Sequence, residues 1–150
     1  MKWDKNKSIQ LSMILIIVFA VFGLIVMIGA PFVIGGIVAR RGMSPLRGRL
    51  YFLITIYTMM IPAYTVLWKL FRLLANIRRG DVFTAENTKA LRVIQWALFA
   101  AALICAVSAL YYLPFITLAV GCAFMGLILR ILKNVFAEAV ELKNENDYTI

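Results

Sequence analysis

The sequence predicts an all-α membrane protein, a four-helix transmembrane bundle with its N- and C-termini in the cytoplasm. Hydrophobic residues make up 63% of the chain, and the mean hydropathy is +0.90, whereas soluble domains are roughly 45–50% apolar. The apolar residues come in long uncharged runs, and a bilayer core about 30 Å thick needs about 20 helical residues for each crossing. Backbone groups within lipid must bond inside their own segment, which favours helices.

The first span lies within residues 9–39, the first long run without charge. This run is roughly twice the upper limit of the 7–15 residues in the apolar region of a secretory signal, and no small-x-small cleavage pattern follows it. We therefore expect an uncleaved span, which Pro31, Gly35 and Gly36 should kink or end. The second span covers residues 50–74 after a short basic connector.

The third span, residues 91–113, follows the polar stretch "GDVFTAENTKALRVIQW". In this stretch Thr84 is the predicted N-cap, accepting a hydrogen bond from the Asn87 N–H. The chain turns at Pro114 into the fourth span, residues 115–136, and the helical pattern continues into a tail, 137–150. Small residues recur at every fourth position and predict a tight hairpin of spans 3 and 4: Ala97, Ala101, Cys105 and Ala109, with Ala119, Ala123, Cys122 and Gly126.

The basic residues predict the orientation of the chain, because Lys and Arg collect on the cytoplasmic side of membrane spans. With the N-terminus inside, all but four of the sixteen basic residues are cytoplasmic. The sequence therefore predicts a multi-pass membrane protein with both termini in the cytoplasm. The four exceptions are Arg40, Arg41, Arg47 and Arg49, which could bind lipid phosphates or an anionic outside ligand.

Residues for catalysis are lacking. The sequence has no His, no cysteine cluster, no G-x-x-x-x-G-K motif and no acid within a span, so we expect no catalytic residue, no cofactor and no metal site. Ion-coupled transport is also disfavoured, because it usually leaves an ionisable residue in the bundle. The polar residues at membrane depth or near its edge are predicted to form hydrogen bonds between helices: Ser12, Thr55, Thr58, Thr65, Gln95, Ser108 and Thr117.

Binding remains as the class of function. A basic loop, residues 72–92, and an acidic tail, residues 138–147, share the predicted cytoplasmic face. In the simplest interpretation they are solvated or pair with each other. Alternatively they form a composite surface for a cytosolic protein, in which charge sets orientation and encounter rate.

Two motifs in these segments resemble the bacterial membrane proteins known as domain of unknown function 2975. The first is roughly G-x-x-F-T-x-x-N-x-x-x-L-R-x-x-x-W, and the second is E-L-x-x-E-N-D-x-T-I. In this chain they consist of Gly80, Phe83, Thr84, Asn87, Leu91, Arg92 and Trp96, then Glu141, Leu142, Glu145, Asn146, Asp147, Thr149 and Ile150.

The resemblance implies a non-enzymatic sensor or anchor. Members of this family are often encoded beside a very small helix-turn-helix regulator of the Cro type, which implies a membrane protein that holds a regulator. Such a regulator has a basic DNA-contacting surface, which the tail acids could occupy, whereas no direct binding of nucleic acid is expected here. The implied partner surface consists of Phe83, Thr84, Asn87, Arg92, Glu138, Glu141, Glu145, Asn146 and Asp147.

Two other functions stay open at this point. An immunity-type protein guarding the membrane against a bacteriocin or peptide would use the outer surface, Arg40–Arg49 and Tyr111–Phe115. A permeation or efflux unit acting as a homo-oligomer is less favoured, because no span has a polar face.

Overall fold

The computed structural model of the protein describes residues 5–40, 42 and 44–149. These residues form four α-helices: α1 (Lys5–Arg40), α2 (Pro45–Arg78), α3 (Ala85–Ser108) and α4 (Phe115–Tyr148). Each helix is long and apolar enough to cross a membrane. The predictions of an all-α class and of several membrane crossings are confirmed, whereas the side on which each terminus lies stays a prediction. The predicted tail lies within this range apart from Ile150, which is outside the described residues.

Prolines lie inside two of the helices and at the start of one. Helix α1 continues past Pro31 as far as Arg40, so the expectation that Pro31 ends the helix is wrong. Helix α2 likewise contains Pro62. It begins at Pro45, earlier than predicted, because a proline at the first helical position sacrifices no intrahelical hydrogen bond.

Helix α3 ends at Ser108, whereas the predicted span extends to residue 113. The N–H groups of Tyr111 and Tyr112 both donate to the Ser108 carbonyl, at 3.3 and 3.1 Å, in tight turns that replace the helix. Pro114 also disfavours helical backbone at Leu113. The apolar residues 109–113 therefore belong to a connector.

Close backbone contacts join consecutive helices, α1 with α2, α2 with α3 and α3 with α4, and no other pair within the described part of the chain. The Tyr57 hydroxyl donates to the Met27 carbonyl at 3.1 Å, and the Tyr64 hydroxyl donates to the Ala20 carbonyl at 2.7 Å. From the first bond to the second, the residue number rises on α2 and falls on α1, so the two helices are antiparallel. The same pattern links the other pairs, so α3 lies between α2 and α4, and the bundle is open between α1 and α4.

The alternating helices give the molecule two ends. The Gly80 end contains the α2–α3 connector, residues 79–84, together with the start of α1. The Pro114 end contains the α1–α2 and α3–α4 connectors. At the Pro114 end the buried Phe52 ring packs against Tyr111, Tyr112 and Phe115, with ring centroids 5.2, 5.4 and 6.1 Å away.

A chain of hydroxyl groups also holds α2 to α3 at the Pro114 end. Thr55 Oγ1 lies 2.7 Å from Ser108 Oγ and 2.5 Å from the Tyr111 hydroxyl. Because Tyr111 gives its single hydroxyl hydrogen to the Tyr51 carbonyl, Thr55 must donate to Tyr111, and Ser108 must donate to Thr55. The predicted bond between helices is confirmed for Thr55 and Ser108.

Two other residues of the predicted set form hydrogen bonds within their own helix instead. The hydroxyls of Ser12 and Thr65 donate to the carbonyls of Ser8 and Ile61, one turn earlier in the same helix. The buried side-chain oxygen of Gln95 has no hydrogen-bond partner among the described residues. The prediction is therefore wrong for Ser12, Thr65 and this oxygen of Gln95.

The predicted hairpin of α3 and α4 is confirmed. Gly126 of α4 is buried against the Phe99 ring of α3, and a Cβ at Gly126 would lie 2.8 Å from that ring. Ala119 of α4 is also buried. Such small residues let membrane helices approach closely. Cys105, although part of the same predicted ladder, directs its thiol at the Met59 sulfur of α2, 3.9 Å away.

Large apolar side chains cover the outside of the molecule, most of all on α1, which contacts only α2. Phe32 is 83% exposed, and Ile28 and Val33 are similarly open. An apolar surface far larger than that of soluble monomers marks contact with a membrane or with another protein. The hydrocarbon of a bilayer would cover this surface without further partners.

Candidate partner-docking face

At the Gly80 end, α2 ends in a Schellman motif. The Gly80 N–H donates to the Ile77 carbonyl, and the Asp81 N–H donates to the Asn76 carbonyl, both at 3.1 Å. These two bonds define the motif. Gly80 has a φ of +95°, a conformation that glycine adopts without strain. The glycine therefore sets the direction in which the connector leaves α2.

Asn87 is the centre of this end. Its side chain is 0% exposed, and its Oδ1 accepts a hydrogen bond from Asn76 Nδ2 at 2.9 Å. Its Nδ2 donates to the carbonyls of Asp81 and Val82 at 2.7 and 2.8 Å. Both amide hydrogens are thus used. Asn87 joins the end of α2, the connector and the first turn of α3 into one unit.

The burial of Asn87 defines its place at this end. A side chain with no exposed surface does not contact a partner directly. Asn87 could therefore only brace the predicted partner surface, through its hydrogen bonds to the connector and to α2.

Thr84 is the N-cap of α3, as predicted. Its Oγ1 accepts a hydrogen bond from the Asn87 N–H at 3.3 Å, and its backbone is extended, as N-caps require. Glu86 in the first turn pairs with Arg72 of α2 at 3.1 Å. Both charged side chains are more than half exposed, so this pair contributes only about 0–1 kcal/mol.

Phe83 connects the unit around Asn87 to α4. Its ring centroid lies 5.5 Å from that of Phe136, and 43% of Phe83 is exposed. Helix α4 continues past this contact to Tyr148. At 1.5 Å per residue, residues 137–148 extend about 18 Å beyond Phe136. We call this segment the α4 projection.

The polar residues predicted for the tail all lie on the α4 projection and are exposed: Glu138, Glu141, Glu145, Asn146 and Asp147. At about 100° per residue, the three glutamates share one side of the helix, and Asp147 lies about 180° from Glu138. The four acids therefore do not form a single stripe.

The acids of the α4 projection are not paired with the basic loop. Among the described residues, the one ion pair joins Arg72 of α2 to Glu86 of α3. The simplest interpretation of the sequence was that loop and tail are solvated or pair with each other, and of these two forms the structure has the solvated one. The carboxylates of the projection lie in solvent, where they are accessible to another molecule.

Arg92 lies apart from the connector. It is exposed on α3 and lines a cavity between α3 and α4 together with Arg130 and Lys133 of α4. The structure thus brings Phe83, Thr84 and Asn87 together, places the acids on the α4 projection, and puts Arg92 in a separate basic cluster.

Two features of this end were missed in the sequence. Asn76 was overlooked, because no local pattern marks it as a partner of Asn87. Arg130 and Lys133 were counted only among the basic residues that predict the orientation. Their common cavity with Arg92 depends on the register of α3 against α4, which no local pattern shows.

The described residues include no group of three His, Cys, Asp or Glu side chains that could hold a metal ion. Cys105 and Cys122 are both free. The sequence analysis predicted no cofactor site.

The family described as "Protein of unknown function (DUF2975)" matches residues 42–150. The match includes α2, α3 and α4, the Schellman motif and the buried asparagine, and it covers more than half of the chain. The chain belongs to this family. The resemblance of the two sequence motifs is thereby confirmed. In this DUF2975 protein α1 lies outside the matched region. No curated protein and no solved structure matches the chain.

Proposed function

We propose that this DUF2975 protein is a non-enzymatic sensor or anchor in a bacterial cytoplasmic membrane that acts through a small cytosolic helix-turn-helix regulator. One observation carries the proposal: the α4 projection presents exposed carboxylates, unpaired within the described chain, at the same end as the connector. The neighbouring regulator genes that the family resemblance implies supply the partner class.

The charge on the α4 projection suits a basic partner. Glu138, Glu141 and Glu145 share one side of the helix, and a helix-turn-helix protein has a basic DNA-contacting surface. Complementary charge orients the encounter and raises the association rate more than it raises the affinity. A regulator bound in this way could not occupy DNA with the same surface.

The base of the α4 projection supplies an apolar contact and rigidity. The half-exposed Phe83 ring lies beside Phe136, and aromatic side chains commonly anchor interfaces. Asn87 holds the connector in one conformation. A preorganised surface loses less entropy on binding.

The distribution of basic residues favours a cytosolic Gly80 end. Arg78 and Arg79 flank the connector, and Lys69, Lys89 and Lys133 lie within a few turns of it. Described basic residues at the Pro114 end are Arg40, Arg47 and Arg49. This imbalance predicts that the Gly80 end faces the cytosol.

The immunity-type alternative gains no support from the Pro114 end. Tyr111, Tyr112 and Phe115 pack against the buried Phe52, and Arg49 donates to the Pro31 carbonyl at 3.1 Å. These side chains hold helices together, whereas a peptide-binding surface would leave more of them open. Arg41 lies outside the described residues.

A recruitment experiment tests the proposal. The full chain and its E138Q/E141Q/E145Q variant are placed in membrane vesicles, and the helix-turn-helix protein encoded beside the gene is added. Sedimentation measures the bound fraction. We expect the triple variant to bind about tenfold less tightly, because it loses the complementary charges, and added salt to weaken binding to the parent chain.

The matched single variants are E138Q and D147N, which each remove one charge, from opposite sides of the same helix. E138Q should weaken binding more than D147N. Equal binding by the parent chain and the triple variant, or absence of a helix-turn-helix gene beside this one, would overturn the proposal.

A further inference from the structure

A basic cavity lies between α3 and α4 near the Gly80 end. It has a volume of about 390 Å³ and is lined by Arg92, Gln95, Trp96, Phe99, Arg130 and Lys133. The lining thus contains three cationic side chains and no acid, and none of the three cations forms an ion pair within the described residues. Such a cluster attracts an anion, and basic pockets between membrane helices bind anionic lipid headgroups.

An apolar groove continues from this cavity along the same two helices. Phe99 lines both the basic cavity and a second cavity of about 420 Å³, whose other residues include Leu103, Ala106, Ile116 and Val120. From Arg92 to Ala106 the groove is about 21 Å long, at 1.5 Å per residue. One leaflet of a bilayer with its headgroups is about 20 Å deep, so the groove matches the length of one lipid.

We propose that the α3–α4 groove binds an anionic phospholipid. The phosphate lies among Arg92, Arg130 and Lys133. An acyl chain follows the apolar groove past Phe99. Trp96, 64% exposed at the mouth of the cavity, has the amphipathic ring that is common at headgroup level.

The groove is basic at one end and apolar along the rest of its length, and this order favours a lipid over a free phosphate anion. A soluble phosphate could use the three cations, but it would leave the apolar part of the groove empty. A lipid fills both parts at once. The proposal does not rest on a cytosolic regulator, so each of the two proposals can fail without the other.

Binding to the delipidated full-length protein in detergent tests the proposal. Native mass spectrometry would measure the dissociation constants of phosphatidylglycerol, phosphatidylmethanol and phosphatidylcholine with identical acyl chains, and of glycerol 1-phosphate. We expect phosphatidylglycerol to bind at least about tenfold more tightly than phosphatidylcholine. Phosphatidylmethanol has the same charge and acyl chains and should bind about as tightly as phosphatidylglycerol.

Two variants locate the site. R130Q/K133Q should lose about tenfold or more in affinity for phosphatidylglycerol, whereas K69Q/R78Q, which removes the same charge from α2 at the same end, should change it less than about twofold.

Three results would overturn the proposal. Equal affinity for phosphatidylglycerol and phosphatidylcholine would exclude an anion site, and equal losses in the two double variants would show unspecific attraction by net charge. Glycerol 1-phosphate binding as tightly as phosphatidylglycerol would identify a site for a soluble phosphate ester.

Discussion

At the scale of single residues, Asn87 connects three parts of the chain through one amide group. The Asn87 side chain supplies the acceptor for Asn76 and the donors for the carbonyls of Asp81 and Val82. Each partner has its hydrogen-bonding group near the buried amide, so removing Asn87 would leave several polar groups without a bond. The cost of an unsatisfied buried polar group is about 1–3 kcal/mol.

We therefore expect N87A to lower the free energy of unfolding by about 1–3 kcal/mol. N87D should be at least as harmful, because a carboxylate oxygen would replace the NH₂ group that faces two carbonyl oxygens. Unfolding by sodium dodecyl sulfate in mixed micelles would measure the change.

N146A and N146D are the matched controls, since Asn146 is exposed on the α4 projection. They should change the free energy of unfolding by less than about 0.5 kcal/mol. Similar effects at both positions would contradict the structural role of Asn87.

The hydrogen bonds of Asn87 show where sequence reasoning reaches its limit at this scale. The bond from the Asn87 N–H to Thr84 spans three residues and follows from the N-cap pattern alone. The bond with Asn76 depends on the path of the connector between two helices. Sequence spacing gave no measure of that path, so the complete burial of Asn87 became visible only in the structure.

At the scale of helices, Gly126 determines how closely α4 can approach α3. A Cβ there would lie 2.8 Å from the Phe99 ring, whereas a Cβ at Gly121 of the same helix meets no atom within 4 Å. The two glycines therefore differ in function, although both lie in the same apolar run.

We expect G126V to lower the free energy of unfolding by about 1–3 kcal/mol, because it overpacks the contact between α3 and α4. G121V places the same side chain on the same helix without a neighbour and should have a much smaller effect. Unfolding in mixed micelles would compare the two variants. The interpretation is wrong if they are equally stable, or if G126V/F99A recovers none of the loss.

The presence of the four helices was predictable from the sequence, whereas the residues at which they begin and end were less so. Uncharged runs of sufficient length predicted all four helices, and the N-cap pattern at Thr84 predicted the start of α3. The end of α3 was missed because residues 109–113 are as apolar as the helix before them. Their position was decided by aromatic packing on Phe52, a contact between distant parts of the chain.

At the scale of the whole molecule, the antiparallel order of the helices makes the orientation testable. A cysteine at Ser44 and one at Asp81 lie in connectors at opposite ends, and both positions are exposed. We expect an impermeant maleimide to label S44C in intact cells and to leave D81C unlabelled until the cells are opened. The parent chain, with cysteines only in α3 and α4, gives the background.

Labelling of D81C alone in intact cells would reverse the predicted orientation. The docking face would then lie outside the cell, and the proposed regulator could not reach it. The lipid-binding groove would remain, but it would open toward the other leaflet.

The number of membrane crossings could be predicted from the apolar runs of the sequence, but which helices contact each other could not. Apolar side chains that face lipid and those that face another helix look alike in a sequence, because both environments are apolar. The exposure of α1 and the open side between α1 and α4 therefore became visible only in the structure. The same limit concealed the cavity shared by Arg92, Arg130 and Lys133.

The length of the α4 projection has a consequence for its electrostatics. Asp147 stands about 16 Å beyond Phe136, and at physiological ionic strength the Debye length is about 8 Å. The repulsion between anionic headgroups and the distal carboxylates is therefore largely screened. A cationic partner could therefore bind the end of the α4 projection without competition from the anionic surface of the membrane.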